Sequence, residues 1–134
     1  MIKQYKILFC ILAVMPCFVS CKKTPGEGGN AQIKGQYWSR NYDPFFSYVT
    51  GRYPAMNETV YLFFGDDASP GTSTKTDENG NFEFKYLRKG KYRVVVYGNQ
   101  KPDATSASSY ALTHNVTIAK RKDMIDIGLD TITK

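Results

Sequence analysis

The strongest structural signal in the chain is the sequence TDENGNFEFKYLRKGKYRVVVY at residues 76–97. Its apolar side chains recur at every second position, which places Phe82, Phe84 and Tyr86 on one face of a predicted strand. A period of two, rich in aromatic and β-branched residues, indicates strands with one buried face. The Asn-Gly pair at 79–80 favours a tight hairpin, because both central residues of a type I′ turn need positive φ. The segment therefore predicts adjacent strands joined by short turns.

Alternation of the same kind extends outward from this segment in both directions. It is found at 31–38, 58–64, 112–118 and 125–129, and no convincing helical stripe of apolar residues accompanies it. We therefore predict an all-β domain over residues 31–134, a small Greek-key β-sandwich of about seven strands. The predicted core consists of Val60, Leu62, Phe64, Phe82, Phe84, Tyr92, Val94, Val96, Ile125 and Ile127, with Leu129 on the same face as the last two.

The N-terminal segment has the composition of a bacterial export signal. A short basic start at residues 1–6 is followed by an apolar run at 7–15, which is too short to span a bilayer as a helix. Pro16 ends the run, and the sequence turns polar after Ser20. We therefore predict a signal peptide over residues 1–20.

The residues around the predicted cleavage site carry a resemblance to a known class of proteins. The sequence Phe18-Val19-Ser20-Cys21 resembles the lipobox of bacterial lipoproteins. The resemblance implies cleavage before Cys21 and acylation of that cysteine, by palmitate for example, which would hold the protein on a membrane. The expected location is the cell envelope, on the outer membrane of a Gram-negative bacterium. Residues 21–30 would then be the lipidated cysteine and a flexible, glycine-rich tether.

The domain itself carries a second resemblance. The sequences TDENGNF at 76–82 and LRKGKYRV at 87–94 resemble the characteristic run of transthyretin-like, carboxypeptidase-regulatory-like domains. The resemblance implies a prealbumin-like β-sandwich that acts as a non-catalytic module of envelope and surface proteins. It supplies no catalytic residues. The chain departs from the family at 39–57, where a long aromatic segment replaces a short connection.

Cysteine positions and charge restrict the chemistry of the domain. All three cysteines lie at or before residue 21, so the domain has neither a disulfide framework nor a thiol nucleophile. The net charge of +6 falls to +4 without Lys3 and Lys6, and basic residues cluster at 85–93 and 120–122. Such clusters attract the phosphates of lipids or nucleic acids, but solvated hairpin ends explain them more simply. An exported protein is not expected to bind nucleic acid.

No group of residues in the sequence predicts catalysis or metal binding. His114 is the only histidine, and in a strand it shares a face with Val116, so we expect it in the core or at its rim. Asp66-Asp67 directly follows a strand and is typical of a turn. Residues 77–81 begin like a calcium loop but lack the glycine and the glutamate that such a loop requires. We therefore expect no metal, no cofactor and no enzymatic activity; a hydrolase would need a polar pocket.

A short motif near the C-terminus predicts a modification. Asp130-Thr131-Ile132 is similar to an O-glycan acceptor pattern of exported proteins in some Gram-negative bacteria. Thr131 is therefore a candidate acceptor, although a motif of three residues also occurs by chance.

The aromatic segment at 37–53 is the part of the sequence most informative about function. Aromatic side chains with a polar group are favoured where one side is dry and the other wet, as in protein contacts and on sugar platforms. We predict that a loop at 40–53 is a contact surface for a protein partner or, as the alternative, for a glycan in nutrient capture. A loop that folds back to cap the sandwich explains the same residues. The candidate contact residues are Tyr42, Phe45, Phe46, Tyr48 and Tyr53.

Overall fold

The computed structural model describes residues 24–45, 47–99 and 109–134, and these residues form only strands, turns and bends. The predicted all-β sandwich is confirmed, with two sheets of four strands each. The strands are β1 (Glu27–Tyr42), β2 (Val49–Pro54), β3 (Thr59–Phe64), β4 (Thr72–Lys75), β5 (Asn81–Leu87), β6 (Gly90–Gly98), β7 (Tyr110–Ile118) and β8 (Met124–Thr133). Eight strands are present where the sequence predicts about seven; alternation in the sequence did not reveal β2, which lies inside the segment predicted as a loop, or the short β4.

β1 lies at the centre of the first sheet, which we call the β1 sheet. Along one edge it pairs antiparallel with β5 and then with β2, and along the other edge it pairs in parallel with β8. Lys34 of β1, for example, lies between Glu83 of β5 and Asp126 of β8. The second sheet, the β6 sheet, has the order β4-β3-β6-β7 and is antiparallel throughout.

The core lies between the two sheets. Seven of the ten predicted core residues are buried, and the other three, Phe64, Ile125 and Ile127, are partly buried and pack against the cluster. The largest addition is Tyr37, whose ring stacks on that of Phe82 with 5.1 Å between the centroids. Each fully buried side chain of this size contributes about 1.5–3 kcal/mol to folding. The further buried apolar residues are Ala31, Ile33, Ala55, Leu87, Val95, Val116, Ile118 and Ile132.

Two interruptions of the alternation correct the predicted faces. Tyr86 has a φ of 60° and is 70% exposed, so Leu87 is the residue of β5 that enters the core beyond Phe84. In β8, Gly128 has a φ of 78° and the pairing with β1 shifts there, so that Leu129 is 58% exposed and Ile132 is buried. The predictions that Tyr86 and Leu129 face the core are therefore wrong. Each single-residue interruption turns the following side chains to the opposite face.

The sandwich has two ends with different compositions. At the N-terminal end, the amide of Gly26 donates to the hydroxyl of Tyr92 at 2.9 Å and its carbonyl accepts from the amide of Arg88 at 2.8 Å. β1 begins at Glu27, so the prediction of a flexible tether over 21–30 is wrong for residues 27–30, and the sandwich includes residues before the predicted boundary at 31. The predicted signal peptide and Cys21 lie outside the described residues.

The opposite end, which we call the hairpin end, contains the turn between β1 and β2. The last strand finishes there too, since the amide of Asn99 donates to the carbonyl of Thr133 at 3.0 Å and that of Lys134 to Arg40 at 3.1 Å. A contact hairpin at this end therefore points away from Thr24, the first described residue. None of the described residues belongs to a helix that could cross a bilayer.

Candidate functional site

The predicted contact residues lie on a hairpin formed by the end of β1 and by β2. Residues 38–42 pair with residues 49–54, and Thr50 interrupts the ladder as an extra residue in β2. The irregular turn covers only 43–48, so the prediction of a loop over 40–53 is wrong at both ends. The bulge explains why the aromatic residues of this segment do not alternate strictly in the sequence.

Asp43 determines the shape of the turn. Its carboxylate accepts hydrogen bonds from the backbone amides of Phe45 at 3.3 Å, of Ser47, and of Tyr48 at 3.0 Å. These amides, that of Tyr48 first, favour the ionised form and hold the pKa of Asp43 below its usual value. The Asp43 carboxylate is thus committed to the turn.

Three rings of the hairpin point into solvent. Phe45 is 86% exposed, Tyr48 65% and Tyr53 43%, and none of them belongs to the core cluster. Tyr42 is half-buried at the end of β1. Capping of the sandwich is therefore excluded for the three exposed rings. Phe46 lies outside the described residues.

Several polar groups next to these rings are used within the hairpin. The hydroxyl of Tyr53 donates to Oδ1 of Asn41 at 3.1 Å, and Nη1 of Arg40 donates to the hydroxyl of Tyr42 at 3.4 Å. Together with the committed carboxylate of Asp43, these contacts leave the rings as the main surface that the turn offers. A surface of this kind fits an apolar partner better than a hydroxyl-rich one.

A shallow groove of about 260 Å³ crosses the outer face of the β1 sheet beside the hairpin. Trp38 and Arg40 of β1 line it together with Arg52 of β2, and Leu129 and Thr131 of β8 complete it. The sequence did not predict this groove, because Leu129 is turned outward by the bulge at Gly128. A glycine inside an alternating strand was the available signal for that bulge. Thr131, the predicted glycan acceptor, is partly buried in this groove, and its modification stays a prediction.

His114 and Asp130 join the two sheets along their open edge. His114 of β7 is half-buried at the rim of the core, as predicted, and its Nε2 lies 3.0 Å from Oδ2 of Asp130, without hydrogen-bond geometry. The bulge in β8 turns Asp130 inward, so the structure brings a carboxylate close to His114 that the sequence did not reveal, but without the hydrogen bond that would orient the imidazole. The nearby hydroxyl of Tyr37 is buried, and burial, together with the charge of Asp130, raises its pKa. A tyrosine shifted in this direction is a weaker acid and is not activated as a nucleophile.

The acidic turns have structural roles. Asp66 and Asp67 are exposed in the turn after β3, as predicted. The carboxylate of Asp77 accepts from the amides of Asn79 at 2.9 Å and Asn81 at 2.8 Å, and side-chain and backbone hydrogen bonds from Asn81 hold its pKa below the usual value. This is an Asx turn within the predicted hairpin. No group of three or more potential metal ligands occurs among the described residues.

No family model matches the chain, and no curated protein does. Among the solved structures, the following three are similar in outline. A candidate carbohydrate-binding protein of Pseudomonas aeruginosa is 18% identical, with 84% of this chain and 92% of that chain covered and a TM-score of 0.47. A 9R-lipoxygenase of Cyanothece is 16% identical, with 78% and 16% covered and a TM-score of 0.45. An (S)-allantoin synthase is 12% identical, with 78% and 42% covered and a TM-score of 0.38.

Likenesses at these identities and TM-scores do not assign a function. The sandwich fold is established by the strand pairing described above. Membership in the transthyretin-like family stays a prediction, and so does the lipoprotein anchor. The functional argument therefore depends on the chain's own surface.

Proposed function

We propose that the protein is a non-enzymatic, lipid-anchored module of the bacterial envelope that presents its β1–β2 hairpin to a protein partner. The observation that carries the proposal is the clustering of three exposed rings, Phe45, Tyr48 and Tyr53, at the hairpin end. Exposed rings gathered on one element normally mark an interaction site. The attachment point, Cys21, precedes the opposite end of the sandwich.

A protein partner is favoured over a glycan at the hairpin because of how its polar groups are used. Sugar sites combine a ring with free hydrogen-bonding groups that fix the hydroxyls. At the turn, the carboxylate of Asp43 is occupied by three backbone amides and the side-chain oxygen of Asn41 accepts from Tyr53. Rings whose neighbouring carboxylate and amide oxygen are already occupied resemble the buried centre of a protein interface, where most of the binding energy resides.

The proposal can be tested by site-specific cross-linking in intact cells. A benzophenone amino acid is placed at position 45 or 48, and as a matched control at position 86 or 97, where Tyr86 and Tyr97 are exposed on other surfaces. We expect a discrete cross-linked species from the hairpin positions only. The contact must also weaken in Phe45→Ser and Tyr48→Ser, by about 10-fold or more for a residue at an interface centre.

Both substitutions lie on exposed side chains, so the unfolding midpoint should stay within the range of surface changes. Equal cross-linking from the control positions, or none from the hairpin, would remove the hairpin as the contact surface. A fall in the unfolding midpoint without loss of the contact would make the rings structural.

The groove on the outer face of the β1 sheet favours a glycan as the second candidate. There an indole ring lies with two arginines, Arg40 and Arg52, around a space of about 260 Å³. Trp38 is the only tryptophan of the chain, so its fluorescence reports on this groove alone. Oligosaccharide binding predicts a saturable change in emission that Arg52→Ala weakens and Phe45→Ser does not. Unchanged emission across an oligosaccharide panel would exclude this candidate.

A further inference from the structure

A basic cleft of about 580 Å³ opens at the N-terminal end of the sandwich. Arg88 and Lys89, in the turn between β5 and β6, form one side, while Arg121 and Lys122, in the turn between β7 and β8, form the other. Residues 28–30 at the start of β1 lie between them. Two clusters separated by some thirty positions in the sequence thus become one site.

No acidic side chain lines this cleft, and its cations are not neutralised by ion pairs within the described residues. The four ion pairs among the described residues involve Lys34, Lys85, Lys134 and His114. Asp123, the nearest carboxylate in the sequence, accepts from the backbone amides of Ala119 at 3.0 Å and Lys120 at 2.7 Å, which commits it to the turn. Four positive charges therefore remain available to an anion.

The volume and the backbone of the cleft suit a compact anion. Ligand sites usually measure about 300–1,000 Å³. Gly28 presents no side chain, and the guanidinium of Arg88 lies against it, so that an added Cβ would be 3.0 Å from Nη2. Arginine suits phosphate, because its planar group can donate two parallel hydrogen bonds.

The position of the cleft indicates where the anion comes from. Pro25 and Gly26 pack against Gly90 and Tyr92, so the chain is held against the domain from Pro25 onward. Only Lys22 and Lys23 separate Cys21 from Thr24, so the chain between these two residues spans at most about 11 Å. This segment is therefore too short to lift the N-terminal end of the sandwich away from a membrane that holds Cys21. Both the cleft and the Asp66-Asp67 turn, which borders Thr24, would lie near the headgroups. This step rests on the anchor of the proposed function.

We infer that this cleft binds the anionic phosphate headgroups of the membrane to which the protein is attached. The third turn at this end, between β3 and β4, carries Asp66 and Asp67, which line a pocket together with Thr24 and Pro25. Repulsion there and attraction at the cleft tilt the domain, with the β5–β6 and β7–β8 turns towards the lipid. The tilt fixes the direction in which the hairpin points, which a lipid anchor alone leaves free.

The inference is tested with residues 21–134 carrying Cys21→Ser, which cannot be acylated. Every core residue lies between Ala31 and Ile132, so this chain contains the whole fold. Its partition is measured on vesicles of phosphatidylcholine and on vesicles mixed equally with phosphatidylglycerol. We expect binding to the anionic vesicles only, and loss of it at high salt, because screening weakens exposed charges.

Charge reversal identifies the surface. Arg121→Glu with Lys122→Glu should lower the partition coefficient by at least about 10-fold, since each basic residue near an anionic surface contributes about fivefold. The matched control, Lys75→Glu with Lys85→Glu, changes the net charge equally at exposed positions outside the cleft and should lower it by less than about threefold.

Three results would overturn the inference: no preference for anionic vesicles, equal losses in the two double variants, or binding of soluble glycerol phosphate as tight as vesicle binding. The last result would make the cleft a site for a free phosphate instead of a membrane contact. Because the tested chain lacks the acyl group and keeps the hairpin, none of these results bears on acylation or on hairpin cross-linking. Conversely, if acylation or hairpin cross-linking is not observed, the result of the vesicle experiment is still valid.

Discussion

Gly80 and Gly128 have the same backbone conformation, each with a φ of 78°, but different surroundings. A Cβ on Gly80 would lie 2.1 Å from the carbonyl oxygen of Tyr37, because the turn before β5 passes directly over β1. A Cβ on Gly128 would meet nothing within 4 Å. The pair therefore separates the cost of positive φ from the cost of a steric overlap with backbone.

Gly128→Ala should lower the free energy of unfolding by about 1 kcal/mol, the cost of the backbone conformation alone. Gly80→Ala should lower it by about 2–4 kcal/mol, because the Tyr37 carbonyl must also move. Gly51→Ala, at a position with open space and no positive φ, serves as the control and should change little. Denaturant unfolding measures all three. Equal losses at Gly80 and Gly128 would contradict the close approach at Gly80.

Among the elements, the β1–β2 hairpin depends on a single side chain for its conformation. Six residues connect the two strands, and the carboxylate of Asp43 accepts hydrogen bonds from the amides of three of them. The ionised form makes these bonds, so the hydrogen bonds and the lowered pKa have one cause. The orientation of Phe45 and Tyr48 is thus linked to the protonation of Asp43.

The sign of this linkage predicts the behaviour of the hairpin in acid. The pKa of Asp43 is lower in the folded protein than in the unfolded chain, so the ionised carboxylate contributes to the stability of the fold above pH 3.8, the unfolded value. This contribution is lost as the pH falls through the folded pKa. An NMR titration should place the midpoint for Asp43 below 3.8, and protection of the Tyr48 amide from exchange, relative to its intrinsic rate at each pH, should fall as the pH drops through it. In Asp43→Asn this pH dependence should disappear, while Asp77, whose pKa is also lowered, titrates as before. A midpoint at or above 3.8 would contradict the geometry of the turn.

At the scale of the whole molecule, the two ends of the sandwich divide the proposed functions. The N-terminal end combines the start of β1 with the basic cleft, and the hairpin end carries the exposed rings. The core between them spans both sheets, with the ring of Tyr37 stacked on Phe82. The sandwich would therefore set the distance and direction between the proposed membrane contact and the proposed partner contact.

This arrangement requires the lipid to be attached at Cys21. Labelled palmitate should enter the protein in a bacterium that processes lipoproteins, and Cys21→Ser should abolish the labelling. Cys17→Ser is the matched control, because it removes a cysteine four residues earlier and should leave the labelling unchanged. Palmitate that persists in Cys21→Ser, or that is lost only in Cys17→Ser, would place the attachment elsewhere.

The amino-acid sequence by itself was sufficient for the fold class and most of the core. Period-two alternation and the Asn-Gly turn at 79–80 are local properties, because neighbouring side chains of a strand point to opposite faces whatever lies beside it. Seven predicted core residues are accordingly buried. The sequence also showed that the segment 37–53 is rich in aromatic residues, but it did not show which of these rings are exposed.

Only the tertiary structure decided which sequence-distant residues meet. Positive φ at Tyr86 and the bulge at Gly128 change which side chains enter the core, because strand pairing, and not the chain's own pattern, sets the register. The folding of 40–53 into a hairpin likewise depends on pairing with β1. The basic cleft forms because two turns far apart in the chain end on the same side of the sandwich. Such proximity results from the order and direction of strands, which no short segment of sequence contains.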